Sequence, residues 1–149
     1  MQTFLPYADY FRSAKVLDNK RLFKQSLECK QIASAITGLS NGWKNHCITR
    51  LWQDHLDHLL DYWEYIICES VMRDRTFIDI PLEIAEKVTK RTYKPVLIGN
   101  EQFHSAYRSH LLAKDFEHYK QFNWKEEPKS GYYAFDQEGK LKLYSGVVK

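Results

Sequence analysis

A chain of 149 residues is long enough to bury a sizeable core without disulfides or a structural metal, which points to one domain over residues 1–149 and excludes the small stapled scaffolds. Ten Tyr, eight Phe and four Trp exclude a disordered chain and leave aromatic surface to spare for stacking on a ligand. The net charge of +3 is unevenly spread: residues 1–50 hold eight Lys/Arg against three Asp/Glu and residues 51–75 hold two against six, an asymmetry that can orient a protein on a polyanion.

In chain order, the extended stretch Thr3-Phe4-Leu5-Pro6-Tyr7 leads to a short helix that Asp9 or Ser13 can cap. Asp18 caps a longer helix that runs to about Thr37, where Gly38 stops it. Helical spacing puts Lys20, Lys24, Glu28 and Gln31 on one stripe with Arg21 beside it, while Leu22, Leu27, Ile32, Ala35 and Ile36 turn elsewhere. A single carboxylate set into a cationic stripe can join an anion-binding surface to an acid or base. The plainer reading pairs Glu28 with Lys24 and Lys30 on the helix surface, worth roughly a few tenths of a kcal/mol.

The turn Gly42-Trp43-Lys44-Asn45-His46 precedes the longest pattern, a central helix expected from Asn45 to about Arg73. Ile48, Leu51, Trp52, Leu56, Leu59, Leu60, Trp63, Ile66, Ile67 and Val71 keep helical spacing throughout, and Arg50, Asp54, Asp57, Asp61 and Glu64 form its solvated side. Pro81 opens a short helix through Val88, and Tyr93-Lys94-Pro95 forms a connector. Gly99-Asn100 begin a helix with Phe103, Tyr107 and Leu111 on its apolar side, and Asp115 caps a last turn or two. Residues Tyr132–Phe135 and Lys140–Tyr144 alternate about a four-residue turn and read as a hairpin. The fold class is therefore all-α, with a long central helix and a small β-hairpin at the C-terminus.

Several residues can carry chemistry. His55 and His58 lie among Asp54, Asp57 and Asp61, but without a named metal signature they read as a solvated helix face, and no metal or cofactor is expected. Asn45 and His46 start a helix, where free N–H groups favour an anion; the alternative makes Asn45 the cap and His46 a first-turn residue. Trp43 can stack on a base or serve as a lid on the core. His104 with Arg108, and His110 with Lys114, stand one turn apart, placed for ligand contacts or for salt bridges with Asp115, Glu117 or the acidic central face. Cys29, Cys47 and Cys68 lack C-x-x-C spacing and read as buried thiols in a reducing compartment. No run of eighteen apolar residues occurs, so a cytoplasmic protein without a membrane partner is expected. The absence of G-x-x-x-x-G-K, G-x-G-x-x-G and G-x-S-x-G removes support for the usual nucleotide-driven motors, dinucleotide oxidoreductases and serine hydrolases.

Together, Thr3-Phe4-Leu5-Pro6-Tyr7, Leu17-Asp18-x-Lys20-Arg21-Leu22-x-Lys24-Gln25, Gly42-Trp43-x-Asn45-His46, Phe103-His104-Ser105-x-x-Arg108-Ser109 and Glu117-His118-Tyr119 resemble the pyrimidine-dimer DNA glycosylases of the endonuclease V family. The resemblance is nearest to that family's small bacterial and viral members. It implies a compact all-helical fold that flips a base from damaged DNA. The N-terminal amine then breaks the N-glycosidic bond, and the abasic strand is cleaved through a Schiff base. Arg21 is similar to the family's substrate-binding arginine, His46 to the turn that starts its central helix, and Tyr119 to the aromatic segment that approaches the lesion. Leu22 stands where the family's glutamate is expected, which passes that role to Glu28 or Asp18. Gln2 is too large for the usual removal of the first residue, which leaves Met1 as the terminal residue with its amine a competent nucleophile. The departure at Leu22 favours the alternative, base release by a water that Glu28 or Asp18 activates, without efficient lyase action.

The expected function is thus a DNA glycosylase, with or without abasic-site lyase activity, acting on DNA as a monomer. Met1, Glu28 and Asp18 are the catalytic candidates. Lys20, Arg21, Lys24 and Arg108 would neutralise phosphates, and Trp43, Asn45, His46, His104 and Lys114 complete the substrate surface. The alternatives are a non-catalytic nucleic-acid-binding module and a hydrolase of modified nucleotides. A Met1 nitrogen sharing a pocket with a carboxylate favours the enzyme, a buried or remote Met1 favours the binder, and weak salt dependence favours the nucleotide hydrolase.

Overall fold

The computed structural model of the protein describes residues 1–145. Among them the helices run α1 (Tyr10–Val16), α2 (Asn19–Ile36), α3 (Cys47–Trp52), α4 (Leu56–Met72), α5 (Leu82–Ala85), α6 (Glu101–Lys114) and α7 (Phe116–Tyr119). A 3-10 turn at Lys120–Phe122 follows, then the strands β1 (Tyr132–Phe135) and β2 (Leu141–Tyr144). Asp9, Asp18, Asn100 and Asp115 each accept a first-turn backbone N–H, so the expected starts of α1, α2, α6 and α7 carry the side chains that define them. At the end of α2, Gly38 takes φ +77°, the left-handed geometry that stops a helix at little cost to glycine. The hairpin forms in antiparallel register, Tyr132 opposite Tyr144 and Phe135 opposite Leu141. The fold is mostly helical with one small C-terminal sheet, as expected.

Helix α2 packs on α4, α1 lies across α4, and α3 and α6 both pack on β1 of the hairpin. The core is strongly aromatic. Trp52 stacks on Tyr62 with ring centres 6.2 Å apart, and Tyr10 sits edge-on to both His58 and Tyr62. A second aromatic column runs Tyr107, Tyr132, Tyr144, stacked at 6.1 and 5.7 Å, and ties α6 to the hairpin. No helix among the described residues is long and apolar enough to cross a membrane.

Three expectations need correction. The central helix is interrupted: α3 ends at Trp52, and short turns, Gln53 N–H to the Arg50 carbonyl and His55 N–H to the Trp52 carbonyl, reset the chain before α4. The break removes about one turn, so the apolar spacing keeps its phase across it. Asp57 is buried rather than solvated. Its carboxylate accepts from the Thr92 backbone N–H at 2.7 Å and the Thr92 hydroxyl at 2.6 Å, while His58 donates to the Thr92 carbonyl at 2.8 Å. Burial alone would raise the Asp57 pKa, but the Thr92 hydrogen bonds and His58 outweigh it and hold the carboxyl below its ordinary range. Of the cysteines, Cys29 and Cys47 are buried, whereas Cys68 lies exposed on α4.

Candidate active site

Residues 2–6 lie in no helix or strand, so their backbone polar groups need partners from elsewhere. Side chains from three helices supply them. Gln25 Nε2 donates to the Gln2 carbonyl at 3.0 Å, and the Phe4 N–H donates to Gln25 Oε1 at 2.8 Å. The Tyr62 hydroxyl sits 2.8 Å from the Phe4 carbonyl and 2.6 Å from Gln25 Oε1, and its one proton serves either. His104 Nε2 accepts the Gly99 N–H at 2.8 Å, so its proton is on Nδ1, which donates to the Leu5 carbonyl at 2.7 Å. Arg108 donates to the Pro6 carbonyl at 2.7 Å, and the Trp52 indole N–H to the Thr3 hydroxyl at 3.1 Å. The terminal segment is therefore held along its length.

This docking brings the Met1 amine near enough to Glu28 for its charge to act there. The Glu28 side chain leaves the surface stripe of α2 and is only 5% exposed. Its Oε2 accepts from Gln25 Nε2 at 2.7 Å. Burial pushes its pKa up, against the opposing pull of the positive Met1 amine, Lys24 and the hydrogen bonds of Gln2 and Gln25. The amine is also felt by His46, whose pKa is lowered by burial first and then by the charges of Met1 and Arg50. The buried Glu28 carboxyl and the half-buried His46 ring thus both feel the charge of the Met1 amine.

Cations surround this centre. Lys20 and Lys24 are exposed on α2, and Lys114 comes from the end of α6. Burial and the nearby charges of Arg21, Lys24 and Lys20 lower the Lys114 pKa, with Glu28 opposing them. Lys20, Arg21 and Lys24, neighbours on α2, thus meet Lys114 from the far end of α6 in one patch, with Glu28 beside Lys24 and Lys114. Beside His46 opens a cleft of about 450 Å³, bounded by Arg50, Tyr132, Lys142 and Tyr144. Trp43 stands near it, 47% exposed, edge-on to the His46 ring at 5.5 Å and held at φ +64°, a strained backbone for a bulky residue.

Other expected site residues are committed elsewhere. Asp18 caps α2, bonds the Arg21 guanidinium at 3.1 Å and accepts from the Tyr119 hydroxyl at 2.5 Å. Burial would raise its pKa, but Tyr119 and Arg21 outweigh that and lower it. With Asp18 so employed, Glu28 is the carboxylate next to the amine. Tyr119 is wholly buried instead of facing a lesion. His104 is buried with both ring nitrogens bonded, so it lines the core and not a pocket. The Arg108 guanidinium is 11% exposed and paired with Glu126 and Glu101, which leaves it a clamp on Pro6 rather than a free phosphate contact. Asn45 is exposed and does not cap α3. That cap is His46, whose Nδ1 accepts the Ile48 N–H at 3.1 Å, and α3 is six residues long. His46 therefore enters the site through its ring and not through free amides behind it.

Gln25 and Tyr62 escaped the sequence reading as site residues, as did the roles of Gln2 and His110. Gln25 did leave a signal: it keeps helical phase with Leu22, Cys29 and Ile32, and a polar side chain on an apolar stripe must be buried with partners. His110 was read as a ligand or salt-bridge residue, but its partners Gln2 and Gly131 are set only by the folded chain.

A family model described as pyrimidine dimer DNA glycosylase matches residues 1–79, which contain the docked terminus, Glu28, the α2 cations and His46. No curated protein and no solved structure matches the chain. With more than half of its length matched, the chain belongs to the pyrimidine dimer DNA glycosylase family.

Proposed function

We propose that the protein is a DNA glycosylase that excises a damaged or modified base, pyrimidine dimers first among them, with the Met1 α-amine as nucleophile. The observation that carries this reading is the shared setting of that amine and Glu28, a buried carboxyl that feels the amine's charge and accepts from Gln25. The amine lone pair attacks the sugar C1′ as the C1′–base bond breaks, and the departing base takes that bond's electrons. Glu28 accepts the proton released by the nitrogen. As the nitrogen lone pair opens the sugar ring, Glu28 returns that proton to O4′, which leaves an iminium at C1′ from which strand cleavage can follow. Lys20, Arg21, Lys24 and Lys114 hold the phosphates, while the cleft beside His46, with Trp43 and Asn45 near its rim, receives the extruded nucleotide.

Purified protein incubated with a duplex carrying a thymine photodimer or an abasic site, in the presence of borohydride, should yield a covalent protein–DNA adduct. An N-terminal extension of several residues should abolish both the adduct and strand cleavage. Base release that survives the extension without an adduct would replace the amine with a water activated by Glu28. DNA binding with no release from any lesion would leave a binding module.

A further inference from the structure

We infer that Gln25 is the positioning residue that sets the Met1 amine against Glu28, an inference that rests on the amine mechanism proposed above. Gln25 is fully buried, and both polar atoms of its amide are engaged twice. Oε1 receives the Phe4 N–H at 2.8 Å and lies 2.6 Å from the Tyr62 hydroxyl; Nε2 donates to the Gln2 carbonyl at 3.0 Å and to Glu28 Oε2 at 2.7 Å. A backbone N–H can only donate, and a carbonyl and a carboxylate can only accept, so the amide has one workable orientation. Its two N–H bonds therefore bridge the terminal segment and the carboxylate.

The bridge has chemical consequences. Gln2 directly follows Met1, and one residue spans at most about 3.6 Å of extended chain, so fixing the Gln2 carbonyl near Glu28 leaves the amine little room to wander. The Gln2 side-chain amide, 3.0 Å from His110 Nε2, restrains the same residue a second time. The Gln25 bond to Glu28 Oε2 fixes the carboxylate's orientation while leaving it acceptor capacity for the amine's proton. A glutamine that merely filled the core would need neither contact.

The test compares the unaltered protein with Gln25→Ala and Gln25→Glu. Three quantities are measured: the single-turnover rate of borohydride-trapped adduct on an abasic duplex, the Kd for that duplex without borohydride, and acetylation of the Met1 amine of free protein by limiting acetic anhydride relative to surface lysines. Gln25→Ala should slow adduct formation by about tenfold or more with Kd changed less than about twofold, since misplacement of a reacting group costs rate and not phosphate contacts. Its Met1 acetylation should change by about threefold or more as the terminus comes loose. Gln25→Glu keeps an acceptor for Phe4 but sets a second carboxyl against Glu28, so the pH optimum of adduct formation should move upward, which loss of packing alone would not do.

Adduct formation at the unaltered rate in folded Gln25→Ala, or an unmoved pH optimum in Gln25→Glu, would overturn the inference. If Gln25→Ala does not fold, the Gln25→Glu profile decides. If the unaltered protein forms no adduct, the amine mechanism itself has failed, and Met1 acetylation still decides the placement: equal acetylation in folded Gln25→Ala refutes it, and altered acetylation sustains it.

Discussion

His110 Nδ1 accepts the Gly131 backbone N–H at 2.9 Å, joining α6 to the first residue before the hairpin. The bond exists only while that nitrogen is unprotonated. Burial, then the charges of Lys114 and Arg21, bring the His110 pKa down from 6.5 to about 4. A histidine held neutral in the fold contributes stability that is complete above its unfolded pKa and is lost as pH falls from 6.5 through about 4. The full loss is on the order of 3 kcal/mol. Urea midpoints between pH 7.5 and 4 should fall steeply for the unaltered protein and less steeply for His110→Gln, which keeps an acceptor but cannot titrate. Parallel declines would assign the acid sensitivity to another group.

Removing Lys20 and Lys24 together should lower the salt slope of DNA binding by about two units, because each exposed lysine accounts for about one phosphate. Arg108→Ala should leave that slope unchanged and reduce stability by about 1–3 kcal/mol, since it strips the half-buried Glu126 and the Pro6 carbonyl of their donor. Binding measured at several salt concentrations, with denaturation curves for all variants, separates the two classes.

Glu28→Gln keeps the shape of the side chain but cannot take a proton. Single-turnover base release should fall by about 10²- to 10⁴-fold, the usual contribution of a general base. DNA affinity should hold or rise slightly, because a negative charge leaves a basic patch. An undiminished rate would remove Glu28 from the chemistry.

Trp63 is fully buried and its indole N–H donates to the Ile78 carbonyl at 2.8 Å. Trp63→Ala should cost about 3–5 kcal/mol and Ile66→Ala about 2–5 kcal/mol, by lost burial and the cavity left behind. Calorimetric Tm values would show it, and an unchanged Tm would mean that α4 is not the core helix.

What could be read in advance was local. Asp9, Asp18, Asn100 and Asp115 announce helix starts because a cap bonds within three residues, and the hairpin strands flank their own turn. The break at Gln53–His55 was invisible, since an interruption of about one turn preserves the apolar phase. The site divided along the same line. The α2 cations followed from helical spacing, but Asp57 with Thr92, Arg108 with Pro6 and His104 with Leu5 meet across 35, 102 and 99 positions. Glu28 lies at the margin between the two faces of α2, and only the docked terminus turns it from a surface charge into a buried acid.

The clamps on residues 2–6 also bear on the order of assembly. Gln2, Leu5 and Pro6 find their partners at His110, His104 and Arg108, about a hundred positions further along and synthesised correspondingly later. Closing loops of that length is slow, and little rewards it until α6 is in place on the core. The N-terminal segment is therefore translated well before it can be seated. A growing or half-folded polypeptide has no aligned amine beside Glu28, and competence toward DNA would arrive in one late step with the docking of the far helix.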